Sequence, residues 1–211
     1  MRDTRVRAVV DMLEKRYGRR IMEKWYSDPF QVLIACILSQ RTREENTDEA
    51  SRSLFAVAST PAEISSLPLP KLRKLIKAAG LVKQKAENIK RTAEMIVKEY
   101  GGKVPTSREA LMRLPGVGPK TADVVLCYGL NEPTIPVDTH VNRVSKRLGL
   151  VRENADLEEV RKTLQRIFSV DHWHLINRGL VLFGREICLP RYPRCGKCPL
   201  RKICITGSRR W

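Results

Sequence analysis

No apolar run in this 211-residue chain is long enough to cross a bilayer. The longest, Phe30 to Leu38, contains Gln31 and falls far short of the roughly 20 residues a spanning helix needs. A signal-peptide core is missing too, because the opening MRDTRVRAVVDMLEKRYGRR mixes acids and bases. Export is therefore not expected, and a cytoplasmic location is, at the nucleoid if the source is prokaryotic. No pair of alternating apolar and polar runs is joined by a hairpin signal, which argues against a sheet. Low-complexity segments and exact repeats are also absent. Acidic residues are scarce: 23 Asp and Glu stand against 40 Lys and Arg, for a formal charge of +17. With 42% hydrophobic and 30% charged residues the composition is that of a globular chain, not a disordered one. An excess of one sign works against compactness, and a polyanionic partner is its commonest reason. Nucleic acid is the first expectation, and an acidic membrane surface the weaker second.

What is present is helical punctuation. Val6, Val9, Val10 and Leu13 line one side of an amphipathic N-terminal helix. Thr60-Pro61-Ala62-Glu63 reads as a capping box with proline at the first helical position, and Thr106 with Glu109 suggests another. A helix from Lys71 to Ala79 is expected to end at Gly80. Ala86 to Tyr100 carries an apolar stripe of Ile89, Ala93, Ile96 and Val97, and Gly101-Gly102 stops it. Leu157, Val160, Leu164 and Ile167 form one more stripe, and Trp173 to Phe183 a denser one. The expected fold is all-α, built from many short helices.

Six cysteines are unevenly spread. Cys36 and Cys127 sit in apolar segments and read as buried thiols. Cys188, Cys195, Cys198 and Cys204 crowd into a Pro-, Arg- and Lys-rich tail as C-x6-C-x2-C-x5-C. Without an export signal, this spacing favours a metal site or cluster over disulfides. Four thiolates suit tetrahedral zinc or iron–sulfur equally well. The tail is too small and too polar to fold without its ligand.

Residues 111–125 read LMRLPGVGPKTADVV. Leu111 and Leu114 close one helix, Pro115-Gly116-Val117-Gly118 turn tightly, and Lys120 onward begins the next. The two glycines permit positive φ and a close backbone approach. Turn amides and a helix N-terminus aimed at one spot suit a phosphate oxygen. This resembles the helix-hairpin-helix element, which grips the DNA backbone without reading sequence. Shortly after it, Asp138 precedes Val141, Val144 and Leu148, the place of an N-cap carboxylate. On its own Asp138 reads as that cap, and Lys120 as one more cation.

Taken together, LPGVGPKTADVV, VDTHVNRV and the cysteine spacing resemble the endonuclease III family of base-excision DNA glycosylases/AP lyases. The resemblance runs from about Pro29, through LSQRT and AGLVKQKAENI, to Cys204. It implies that Lys120 is the nucleophile and Asp138 the essential carboxylate of a bifunctional enzyme acting on oxidised or saturated pyrimidines. A lysine amine attacks carbon only when neutral, and a helix N-terminus and a desolvated pocket both disfavour the ammonium. Because C1′ is not accessible in stacked DNA, the nucleotide must be flipped out. The resemblance makes Leu81 the wedge and gives Gln40 or Arg41 the vacated space. Arg41 stands where the family commonly has glutamine, which leaves removal of thymine or uracil opposite guanine as the rival activity. A DNA-binding module without turnover is a further alternative, disfavoured by the presence of both Lys120 and Asp138. A purine-mismatch enzyme is not expected, since no further domain follows the cysteines.

The resemblance further implies a pocket for the damaged base lined by Ser39, Glu44 and His140. Leu114, Gly116, Val117 and Gly118 would hold the DNA backbone, and the four cysteines a [4Fe–4S] cluster. Arg191, Arg194, Lys197 and Arg201, with Lys202, would meet phosphates. It implies two helical lobes: a barrel with the hairpin at 21–131, and a cluster lobe from 1–20 with 132–211. DNA would lie in the cleft, with Lys120 and Asp138 facing each other. The partner would be double-stranded DNA with damaged bases or abasic sites, bound by a monomer.

Overall fold

In a computed structural model, which describes residues 2–21 (side chains 4–18) and 28–207, helices account for all regular structure among the described residues. The chain divides into two units, Trp25–Glu132 and Met1–Lys24 with Pro133–Trp211.

Seven helices make the first unit. These are α2 (Pro29–Ser39), α3 (Glu44–Phe55), α4 (Pro61–Ser66), α5 (Leu69–Leu75), α6 (Val82–Tyr100), α7 (Arg108–Arg113) and α8 (Pro119–Val124). Asp28 caps α2 by accepting from the Gln31 amide at 2.9 Å. Apolar on nearly every side, α2 buries Phe30, Val32, Leu33, Ile34, Ile37 and Leu38 in the core. The capping box at Thr60–Glu63 forms as expected and starts α4. Gly101, in the left-handed region at φ 59°, ends α6. A π-helical turn, Val125–Gly129, continues α8. At Gly129 a Cβ would stand 3.0 Å from Pro29 Cα, so glycine allows α2 to pack closely there.

The second unit contains α1 (Arg2–Ile21), α9 (Thr139–Leu148), α10 (Leu157–Ile167), α11 (Trp173–Glu186) and the cysteine loop. Val9, Val10, Leu13 and Tyr17 of α1 pack with Ile176, Leu180 and Phe183 of α11. Gly179 admits Leu13, whose methyls lie 3.0 Å from where a Cβ would be. Arg16 and Tyr17 add hydrogen bonds to Glu186 along the same seam.

Several local expectations shift. Ser107, not Thr106, caps α7 by accepting from the Ala110 amide, so that helix begins one residue later than its capping box implied. The segment before Gly80 breaks at Ile76 into α5 and a 3₁₀ turn, Lys77–Ala79. Val97 and Leu157, read as stripe residues, are exposed, while Thr92 and Lys85 occupy the buried side of α6. Cys127 is buried, but Cys36 only partly so. Among the described residues no helix is long and apolar enough to cross a membrane.

Candidate active site and nucleic-acid interface

In the unit Trp25–Glu132, three separate stretches converge on one side of α6. The hairpin turn comes first. Leu114 and Val117 bury their side chains, so this part of the turn can offer a ligand only its backbone. The Pro115 carbonyl accepts from Thr92 Oγ1 at 2.9 Å and the Gly116 carbonyl from Gln40 Nε2 at 2.8 Å. The amides of Gly116 and Gly118 have no acceptor among the described residues. With its carbonyls held from behind, the turn faces outward with N–H groups. Gly118 at the N-cap and Pro119 at N1 leave α8 without a side-chain cap.

Gly116 sits at φ 78°, and a Cβ there would stand 2.8 Å from Asn88 Nδ2. Gly116→Ala is therefore expected to cost about 1–3 kcal/mol through strained backbone and steric conflict. A lower melting temperature, with weaker binding to DNA of any sequence, would be the measured result.

Lys120 stands at N2 of α8, exposed and without a hydrogen bond or ion pair among the described residues. Cys36 lies near enough for the ammonium to pull against the upward push of burial, which carries that thiol to about 12.

Ser39, Gln40, Arg41 and Thr42 form the second stretch, at the end of α2. Ser39 Oγ donates back to the Cys36 carbonyl at 2.8 Å. The Gln40 amide group is tied to the hairpin turn, whereas Arg41 is exposed and left-handed at φ 53°. Glu44 lies exposed in the first turn of α3. The third stretch is Ala79-Gly80-Leu81, with Gly80 at φ 64° and Leu81 at φ 46°. Leu81 is 52% exposed. Non-glycine residues rarely adopt positive φ, so Arg41 and Leu81 both hold strained conformations with their side chains outward.

In the other unit, Asp138 caps α9. Its Oδ1 accepts from the amides of His140 at 2.9 Å and Val141 at 2.8 Å, leaving Oδ2 without a hydrogen bond among the described residues. The extended segment before it is anchored by buried Asn177, which donates to the Pro136 carbonyl at 2.5 Å. His140 packs against Gly184 and shares a 3.1 Å contact from Nδ1 to Arg143. Burial, chiefly, depresses its pKa, with the Arg143 and Arg185 charges adding and Asp138 opposing.

Along its side α9 grips the cysteine loop. Arg143 donates to the carbonyls of Gly184 and Cys188, and Arg147 to those of Leu189 and Pro190. Cys188, Cys195, Cys198 and Cys204 line one pocket, walled by apolar Leu148, Phe183, Ile187 and Pro193. Burial first, then the nearby Cys204, Cys188 and Cys195, pushes the Cys198 thiol up to about 11 against an amide from Leu200. Four cysteines around one apolar pocket are by their chemistry a donor set suited to a thiolate-bound metal group, although among the described residues they are not gathered into a metal site. Arg201, which lines this pocket, and Arg191, Arg194, Lys197 and Lys202 around it are all exposed, with no carboxylate partner among the described residues.

Lys85, Asn88 and Thr92, which support these loops, carried no role in the sequence reading. The available signal was polar residues on the apolar side of α6, where burial demands a partner.

A helical fold with a turn of outward-facing amides, an exposed lysine beside it and a four-cysteine loop defines a class of DNA repair protein. Residues 34–169 match the family described as HhH-GPD superfamily base excision DNA repair protein. Endonuclease III of Thermotoga maritima is 46% identical over 196 residues, spanning 93% of this chain and 90% of that relative. Among solved structures, a trapped endonuclease III–DNA covalent intermediate superposes with a TM-score of 0.90 at 37% identity, over 99% of this chain and 98% of that one. A thermostable thymine-DNA glycosylase gives 0.87 at 28% identity, over 99% and 97%. The chain belongs to the HhH-GPD superfamily of base-excision repair proteins and, within it, to the endonuclease III family.

Proposed function

We propose that the chain removes oxidised or saturated pyrimidines from double-stranded DNA as a bifunctional glycosylase/AP lyase, with Lys120 as nucleophile. The observation that carries this is the exposed, unpartnered Lys120 beside the hairpin turn, in a chain so similar to one trapped covalently on DNA. In this reading the Lys120 amine attacks C1′ of the flipped nucleotide, and the bond from C1′ to the base breaks. Ring opening leaves a Schiff base, which acidifies the 2′ hydrogens. Loss of one of them expels the 3′ phosphate, and water then frees the lysine. Lys120 is exposed in the free chain, so bound DNA supplies the desolvation that favours the neutral amine. The free Oδ2 of Asp138 stabilises positive charge on the sugar and serves the protons moved to and from the amine.

The hairpin amides hold a phosphate, Leu81 wedges into the stack, and Arg41 fills the vacated space, Gln40 being tied to the hairpin. Ser39, Glu44 and His140 belong to the base pocket. The barrel at 21–131, and the lobe from 1–20 with 132–211, are part of the same reading; the two units support that division, although residues 22–27 lie outside the described ones. The chain acts as a monomer in the cytoplasm.

Cys188, Cys195, Cys198 and Cys204 hold a [4Fe–4S] cluster, which supplies rigid thiolate cross-links and no step of base removal. The purified protein is expected to be yellow-brown with about four irons per chain, whereas zinc would leave it colourless. Lys197→Ala or Arg201→Ala is expected to weaken binding to every duplex and flatten its salt dependence by about 0.9 in log–log slope, with lesion preference unchanged. A change in which lesion is cut would show that this loop reads bases.

The second reading, removal of thymine or uracil opposite guanine, rests on Arg41 and on the likeness to the thymine-DNA glycosylase. A panel of lesion-bearing duplexes, scored separately for base release and strand cleavage, decides between them. Both events on saturated pyrimidines are expected. Base release from guanine mismatches alone, without cleavage, would establish the second reading.

A further inference from the structure

Lys85 is 3% exposed, yet no carboxylate faces it among the described residues. Its three ammonium hydrogens meet three acceptors: the Leu38 carbonyl at 2.6 Å, Thr42 Oγ1 at 2.6 Å and the Ala79 carbonyl at 2.8 Å. Thr42 Oγ1 in turn reaches the Ala79 carbonyl at 2.5 Å. The backbone amide of Lys85 donates to the Leu81 carbonyl at 3.0 Å. One residue thus bonds both sides of Arg41, through Leu38 and Thr42, and both sides of Gly80, through Ala79 and Leu81.

Burial alone pushes the Lys85 ammonium down to about 8, so it stays charged at neutral pH and its bonds to oxygen are charge-assisted. A buried cation is costly, and a packed apolar side chain would fill the same stripe position on α6 at less expense. What the cation supplies is a junction between two loops that both hold non-glycine residues at positive φ. Strain of that kind persists only where surrounding bonds over-determine it.

We propose that Lys85 is a positioning residue for duplex opening, locking the Arg41 and Leu81 loops into one rigid two-pronged wedge. The inference rests on the reading of Arg41 and Leu81 given above. Lys85 touches neither the substrate nor the reacting atoms in this scheme, so it governs how the nucleotide leaves the stack and not the chemistry that follows.

The test compares a substrate that must be opened with one that need not be. Lys85→Met is assayed on a duplex carrying dihydrouracil and on a single strand carrying a preformed abasic site, with 2-aminopurine fluorescence beside the lesion reporting unstacking. Base release from the duplex is expected to fall roughly 10- to 100-fold and the unstacking signal with it, while single-strand cleavage stays within about twofold of the parent protein. Equal loss on both substrates, or no loss on either, overturns the proposal. If Lys85→Met melts below the assay temperature, Thr42→Val decides instead, because it removes one of the three acceptors and leaves the ammonium in place. The same substrate split is expected from it, and its absence overturns the proposal. Arg41→Ala and Leu81→Ala separate this from the reading beneath it. Full duplex activity in both would sink the wedge itself, whereas loss in both, with Lys85→Met unaffected, overturns Lys85 alone.

Discussion

Replacing Lys120 by glutamine is expected to leave the protein folded and bound to DNA while base release and strand cleavage fall to background, a loss of at least about 10³-fold. Lys120 is exposed and makes no hydrogen bond or ion pair among the described residues, so its removal breaks nothing in the fold. Glutamine has nearly the helix propensity of lysine and fits the second position of α8 as well. Binding loses at most one of 40 cations, and the carbonyl-anchored turn that offers its amides is untouched. What disappears is the amine that, in the proposed mechanism, forms the imine. Borohydride should therefore trap the parent protein on damaged DNA as a covalent adduct and fail to trap the variant. Equal trapping of both proteins would remove Lys120 from its role.

Features whose meaning is local were legible in the sequence. LPGVGPK marks a turn by glycine and proline alone, and the structure builds α7, turn and α8 there. Asp138 before an apolar stripe marks an N-cap, and it caps α9 through two amides. The cysteine spacing announces a shared pocket. Features set by distant partners were not legible. Gln40 and Arg41 are equal candidates in the sequence for the space left by a flipped base, and nothing there shows that the Gln40 side-chain amide bonds Gly116, 76 residues away. The left-handed backbone of Arg41 and Leu81 leaves no compositional mark, because only glycine advertises positive φ. Lys85 carries no mark of burial in the sequence, since that burial depends on two loops closing over it. Ser107 in place of Thr106 is a smaller case: both can cap, and it is Ser107 Oγ that accepts from the Ala110 amide.

Asp138→Asn is the sharper test of how a single side chain serves fold and chemistry together. The structure divides the carboxylate: Oδ1 holds the first turn of α9, and Oδ2 makes no hydrogen bond among the described residues. Asparagine keeps an oxygen for the two amides and is as good an N-cap as aspartate. Helix α9 should therefore persist, and with it the Arg143 and Arg147 bonds that fasten the cysteine loop. Metal content, melting temperature and DNA affinity are expected to stay close to those of the parent. Catalysis is not, because the charge is gone and the other amide atom donates where a carboxylate accepted. A fall of about 10²- to 10⁴-fold in turnover is expected, the range for losing a positioned proton acceptor or charge stabiliser. Asp138→Ala serves as the contrast. It removes both oxygens, so it should add a loss of about 1 kcal/mol in stability from the vacant cap to the same catalytic defect. Asparagine losing stability and binding as alanine does would reduce Asp138 to a helix cap, whereas a defect confined to turnover assigns the free oxygen to the reaction.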